Sequence, residues 1–318
     1  MKGGSAVIEA RGLARTFRTR AGDVEAVRGI DLDVAEGEIV GFLGPNGAGK
    51  TTTLRMLTTL IAPTAGTARV AGHDLLREPV EVRRRIGYVA QGGCTLPEAR
   101  VGEELVDQGR LYGMAAADAA AHGQELLAGL DLEGVWERLT KTLSGGQRRR
   151  LDIAMGLIHS PRLVFLDEPT SGLDPQARAN LWNHVRSLRD SRGATVFLTT
   201  HYLEEADALC DRILVIDHGE IVAAGAPEEL KRRVSGDTVE LTFGDDATAA
   251  TAALLLDGQI DGPLVRLQLP SAVEGLPGIF RALDEADLSP LGVEVHRPTL
   301  DDVFLSLTGH ALRDEVPV

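Results

Sequence analysis

The run GPNGAGKT at residues 44 to 51 fits the pattern G-x-x-x-x-G-K-[ST]. In that pattern glycines let backbone N–H groups turn inward onto phosphates, and the start of the following helix adds its positive end. Gly44, Pro45, Asn46, Gly47, Ala48 and Gly49 form the loop. Lys50 is expected to reach the β- and γ-phosphates of a nucleotide, Thr51 to offer its hydroxyl to Mg²⁺, and Thr52 to support the phosphates further. Lysine occurs at Lys2, Lys50, Lys141 and Lys231, so a lysine inside this motif is not compositional noise. Binding phosphate is not hydrolysis, which needs carboxylates. LVFLDEP supplies them: Asp167 ends an apolar run, where it can hold Mg²⁺ through water, and Glu168 follows directly, where it can polarise an attacking water as general base.

These residues need elements to carry them. Residues 36–62 read as a turn, a buried strand IVGFLG, the glycine-rich loop and a helix from near Lys50. LVFLD (163–167) and ATVFLTT (194–200) are short and continuously apolar, as expected of strands buried on both faces of a parallel sheet. PQARANLWNHVRSLRDS between them has helical spacing and stops before Gly193, which completes a strand–helix–strand crossover. Residues 98–140, rich in Ala, Leu and Glu, read as an inserted helical block. Beyond about residue 235 the texture changes, with TVELTF, PLVRLQL and GVEVH as short strands, GLPGIFRALDEADL as a helix, and Gly236 and Asp237 as a boundary.

The 318 residues, 43% hydrophobic, suffice for one large domain and a small one. A formal charge of −14 argues against a broad nucleic-acid footprint. Cys94 and Cys210 have neither disulfide-framework nor metal-ligand spacing, which suggests a reducing cytosol. The N-terminal run lacks the apolar core of a signal peptide, and nowhere do about 18 uncharged apolar residues run together, so the chain is not expected to span a membrane alone.

LSGGQRRRLDIA, residues 143–154, resembles the signature sequence of ATP-binding cassette (ABC) proteins. Ser144, Gly145 and Gly146 precede a helix, so their donors form a second anion site. The resemblance implies that this site, with Gln147, binds the γ-phosphate held by an opposite copy, two cassettes sandwiching two ATP molecules. It further implies roles for Gln91, closing IGYVAQ, as a Q-loop glutamine touching Mg²⁺ or the attacking water, and for Asp174 of SGLD (171–174), acting across the dimer. His201, after ATVFLTT, resembles the switch histidine that contacts the γ-phosphate. Phe17, in ARTF, resembles the aromatic that stacks on adenine, with a core phenylalanine as the other reading. Arg148 to Arg150 read as a solvated or interface face of the signature helix.

The fold expected from this resemblance is α/β: a P-loop NTPase of the ABC type, with a mainly parallel sheet, an antiparallel β subdomain and a helical signature subdomain at about 98–160. It spans residues 7–235, with a small α+β accessory domain at 236–318. HRPTLDDVFLSLTGH (296–310) resembles the tail of ATP-binding subunits of daunorubicin/doxorubicin-type resistance exporters, and its Leu300, Val303, Phe304 and Leu307 have the core spacing of an amphipathic helix. The implied function is an Mg²⁺-dependent ATPase subunit energising export of a drug-like hydrophobic compound through a separately encoded membrane permease. It would act with a second ATP-binding subunit, an identical copy or a paralogue, on the cytoplasmic face of the membrane and without nucleic acid, the 98–140 block forming the docking surface. Export of lipid, polysaccharide or ions, import, and a non-transport ATPase acting on nucleic acid or ribosomes are the alternatives.

Overall fold

The structure, a computed structural model, describes residues 6–20, 22–234 and 236–309; the first five residues, Ala21, Ser235 and the chain from His310 onward, including the end of the exporter-like tail, lie outside the described residues. Two long strands, β1 (Ala6–Thr19) and β2 (Gly22–Ala35), precede β3 (Ile39–Leu43) and helix α1 (Lys50–Leu57). β4 (Ala65–Val70), β5 (His73–Asp74), α2 (Pro79–Arg85) and β6 (Ile86–Val89) follow, then the helices α3 (Val101–Leu111), α4 (Ala116–Gly129) and α5 (Gly145–Leu157). β7 (Leu163–Asp167), α6 (Pro175–Arg192), β8 (Thr195–Thr200), α7 (Leu203–Leu209), β9 (Arg212–Asp217) and β10 (Glu220–Gly225) close the first of two units, which divide between Gly225 and Ala226. The second unit holds α8 (Pro227–Val234), β11 (Asp237–Thr242), α9 (Asp246–Leu256), β12 (Gln259–Asp261), β13 (Leu264–Leu269), α10 (Ala272–Glu285), β14 (Gly292–His296) and α11 (Leu300–Thr308).

The central sheet of the first unit runs β10-β9-β3-β8-β7-β6. It is parallel except at β10, which pairs antiparallel with β9. Every residue of β3, β7 and β8 is buried, because both faces of the sheet are covered, and so their sequences are apolar without alternation. Phe42, Phe197 and Phe165 on these three strands meet as tilted rings with centroids 5.6 and 5.7 Å apart. The register pairs Leu43 with Thr200 and Asp167 with Thr199, so the three strands release the glycine-rich loop, Glu168 and His201 at one sheet edge.

A second, antiparallel sheet has the order β2-β1-β4-β5. Ile8, Ala10 and Leu13 of β1 and Ile30, Leu32 and Val34 of β2 join the same core as β3 and α1. α3, α4 and α5 pack on one another, and α5 also lies on β6. That last approach is closer than a side chain permits: a Cβ on Gly87 would stand 2.3 Å from the Gly156 carbonyl oxygen. The stretch 98–140 is helical only in α3 and α4; Gly113, with positive φ, lies between them, and after Gly129 the chain runs without a helix through Gly134, also with positive φ, to one short turn at Thr140–Thr142.

In the second unit the antiparallel sheet runs β12-β13-β11-β14. Val239, Leu241, Val265 and Leu267 form its core with Ala249, Ala252 and Ala253 of α9 and Ile279 and Leu283 of α10. α9 and β12 were not expected: α9 is apolar around its circumference and shows no 3.6-residue stripe, while β12 is three exposed residues. α10 begins at Ala272, three residues before the expected Gly275, and accommodates Pro277 within its first two turns. α11 is closed by a reciprocal cap between Thr299 and Asp302 and packs on α8. Leu300, Val303 and Phe304 are buried as their spacing predicts, but Leu307 is 41% exposed, because the buried stripe of this short helix ends a turn earlier. Among the described residues no helix is long and apolar enough to cross a membrane.

Candidate active site

The glycine-rich loop joins β3 to α1, and Gly49 caps α1 with φ +104°, in the left-handed region. A Cβ there would sit 2.4 Å from the Ala26 carbonyl oxygen, so both backbone angle and space require glycine. Gly47 also has positive φ, and with Asn46 it is exposed, while Gly44, Pro45 and Ala48 are buried beneath it. Lys50 is buried, and its ammonium donates to the carbonyls of Gly44 (2.7 Å) and Pro45 (2.8 Å). Thr51 and Thr52 are half-buried on the first turn of α1.

Asp167, at the end of β7, is 1% exposed. Its Oδ1 accepts from the hydroxyls of Thr51 (3.1 Å) and Thr199 (2.7 Å). Thr199 in turn accepts at its Oγ1 from the Glu168 N–H (3.0 Å), which ties β8 to both acidic residues. The Thr51 hydroxyl and the Asp167 carboxylate are adjacent hard oxygen donors, a set that suits Mg²⁺.

Glu168 has φ +43°, an uncommon conformation for a residue with a side chain. Its Oε2 accepts from Gln91 Nε2 (2.8 Å) and Ser171 Oγ (2.9 Å). Its Oε1 faces Lys50 Nζ at 3.6 Å and His201 Nδ1 at 3.3 Å, the latter a close approach off the hydrogen-bond line. Burial alone would raise the carboxyl's pKa; His201, the Lys50 charge and Ser171 outweigh it and hold the group down to about 2. Burial presses the Lys50 ammonium below its usual value while Glu168 pulls it back up. Glu168 is therefore ionised at neutral pH and offers both oxygens as acceptors. The Gln91 side chain, already donating its amide N–H, keeps its amide oxygen as a further metal-type donor.

Lys50, Thr51, Gln91, Asp167, Glu168 and His201 thus converge. Ser144, Gly145, Gly146 and Gln147 do not join them: among the described residues no hydrogen bond or ion pair links this stretch to the glycine-rich loop. Instead Ser144 and Gln147 cap each other at the exposed start of α5, the Gln147 N–H donating to Ser144 Oγ (3.2 Å) and the Ser144 N–H to Gln147 Oε1 (3.0 Å). Asp174 is exposed and caps α6 by accepting from the Ala177 N–H at 2.9 Å. Phe17 lies in β1, half-buried, with the Arg15 guanidinium 4.6 Å above its ring.

Three contributors were not foreseen. Thr199 and Ser171 lie inside the quoted runs but carry no motif of their own. Arg149 reverses an expectation: the run Arg148–Arg150 is not one solvated face, because a helix turns about 100° per residue, leaving Arg148 exposed and burying Arg149 against β7. Four turn-spaced positions, Arg149, Asp152, Ile153 and Gly156, all buried, mark that face in the sequence.

The family model described as "ABC transporter" matches residues 27–171. A daunorubicin-resistance ATP-binding protein of Streptomyces coeruleorubidus is 46% identical over 295 residues, 91% of this chain and 93% of that protein. A daunorubicin/doxorubicin-resistance ATP-binding protein of Streptomyces peucetius is 45% identical over 96% of this chain and 94% of its own. A Nod factor export ATP-binding protein of Paraburkholderia xenovorans is 42% identical, with 92% and 95% covered. Among solved structures, a dimeric ATP-binding cassette in a post-hydrolysis state bound to ADP and phosphate superposes with a TM-score of 0.64 at 25% identity, over 69% of this chain and 98% of that one.

Proposed function

From its membership of the ABC transporter family, as an ATP-binding subunit related to the daunorubicin/doxorubicin-resistance proteins, we propose that this chain is one half of an ATP-driven clamp that powers a drug exporter. The chain binds ATP with Mg²⁺ and hydrolyses it; subunits of this kind dimerise and work with membrane permeases. The convergence on the Glu168 carboxylate of Lys50, Gln91, Ser171 and His201 carries the assignment of roles. Glu168, ionised and desolvated, takes the proton of the attacking water; Gln91 orients that water; Lys50 leaves its two carbonyls for the β- and γ-phosphates; His201 contacts the γ-phosphate. Thr51, Asp167 and Gln91 hold Mg²⁺, which when bound neutralises charge on the phosphate oxygens. Thr52 and residues 44–49 cradle the phosphates, and Phe17 stacks on adenine with the ring face away from Arg15.

The exposed α5 start, remote in hydrogen bonding from its own glycine-rich loop, supports a site completed between chains. Ser144 to Gln147 of one copy meet the γ-phosphate held by residues 44–51 of a second, identical copy, and Asp174 acts across the same plane. The second partner is a separately encoded permease that holds the pair on the cytoplasmic face of the membrane. The resistance proteins among the relatives support a drug-like hydrophobic cargo, and the Nod factor relative supports export as the direction.

Glu168→Gln tests the core of this reading. The variant is expected to keep ATP binding, lose turnover by about 100-fold or more, and accumulate as an ATP-loaded dimer on gel filtration. Turnover near wild type would remove Glu168 as the base.

A further inference from the structure

Arg149 lies in α5, five residues after Ser144, with its side chain 8% exposed. Among the described residues its guanidinium makes no hydrogen bond to a carboxylate. Nε donates to the Pro169 carbonyl (2.8 Å), Nη1 to that of Ala90 (2.6 Å), and Nη2 to those of Asp167 (2.9 Å) and Glu168 (3.3 Å). The charge is faced by Asp152, 4.0 Å away on the next turn, whose own Oδ1 accepts from the Cys94 N–H at 3.1 Å. One side chain therefore grips the backbone on which Glu168 is strung and the residue before Gln91, while its partner grips the far end of the Gln91 segment.

Glu168 sits at φ +43°, and a side-chain-bearing residue stays in such a conformation only when its surroundings impose it. The Glu168 N–H is fixed by Thr199, and its carbonyl and those on either side by Arg149. A buried charge spent on neutral carbonyls is a poor stabiliser compared with a well-packed apolar side chain, which points to placement of the backbone as its use. We propose that Arg149 is a positioning residue for hydrolysis: from the signature helix it sets the backbone of Glu168 and the approach to Gln91, with Asp152 as its counter-charge. The inference rests on Glu168 being the base.

The test uses the full chain, in the assembly in which the wild type turns over Mg²⁺-ATP. Arg149→Met combined with Asp152→Asn removes both buried charges together, so that neither is left uncompensated; Arg149→Lys keeps charge but reaches fewer carbonyls. The double variant is expected to lose about tenfold or more in kcat, with KM for ATP and the thermal midpoint close to wild type, and Arg149→Lys to recover part of the loss. Added to Glu168→Gln, the same pair of changes should cost little more, because the group being positioned is already gone. A kcat within about twofold of wild type, a loss matched by a falling folded fraction, or a full further loss on the Glu168→Gln background would each overturn the positioning role. A Glu168→Gln variant that turns over normally would instead sink the assignment of the base.

Discussion

Two oxygens of Glu168 answer to four side chains, and this sets how the residue responds to acid. Its carboxyl is held down to about 2 from an ordinary 4.5, so between those values the unfolded chain binds the proton that the folded chain refuses. The stabilisation from the ionised group is complete above about 4.5 and is lost as pH falls through about 2. The stability gap between wild type and Glu168→Gln should therefore move against the wild type on acidification, which urea unfolding of both proteins at pH 5.5 and at about pH 3.5 would read. A gap independent of pH would mean that the carboxylate is not held down. The identities of Lys50, Asp167 and Glu168 were legible from motif spacing alone. The mutual hold of Lys50, Gln91, Ser171 and His201 on one carboxylate was not, because it joins residues from position 50 to position 201 that only the sheet register brings together.

At the scale of elements, the position of α5 depends on two facing glycines. Gly87→Ala would thrust a methyl group at the Gly156 carbonyl, which cannot rotate away, and should cost about 1–3 kcal/mol in unfolding free energy. Because α5 carries both Ser144 and Arg149, turnover should fall further than folded fraction does, measured side by side by calorimetry and ATPase assay. Equal losses would confine the effect to packing. The buried strands β3, β7 and β8 could be read directly from the sequence, since apolar runs bounded by turns admit few other structures. β1 and β2 were not read from the sequence, for their alternation is interrupted by bulges that shift which residues face the core. α9 escaped notice because an Ala-rich helix with apolar residues all round has no stripe to detect.

Over the whole molecule, each of the two units has a core of its own, and every residue assigned to the nucleotide lies before Gly225. A chain ended at Gly225 is expected to bind Mg²⁺-ATP within about threefold of the full-length affinity, less than about 0.7 kcal/mol, by titration calorimetry. A loss of binding in a folded fragment would assign part of the site to the residues beyond. The change of texture near residue 235 announced a second unit, yet α8, polar on its outer side and ending just before that point, packs with α11 and belongs to it. The start of α5 bears on the life cycle of the clamp. Ser144 and Gln147 satisfy each other's backbone donors, so two of the N–H groups at this helix start are met within the chain itself. If the clamp proposed above opens, each half carries that part of its cap into solvent, and closure on nucleotide need supply partners only for the Gly145 and Gly146 donors between them.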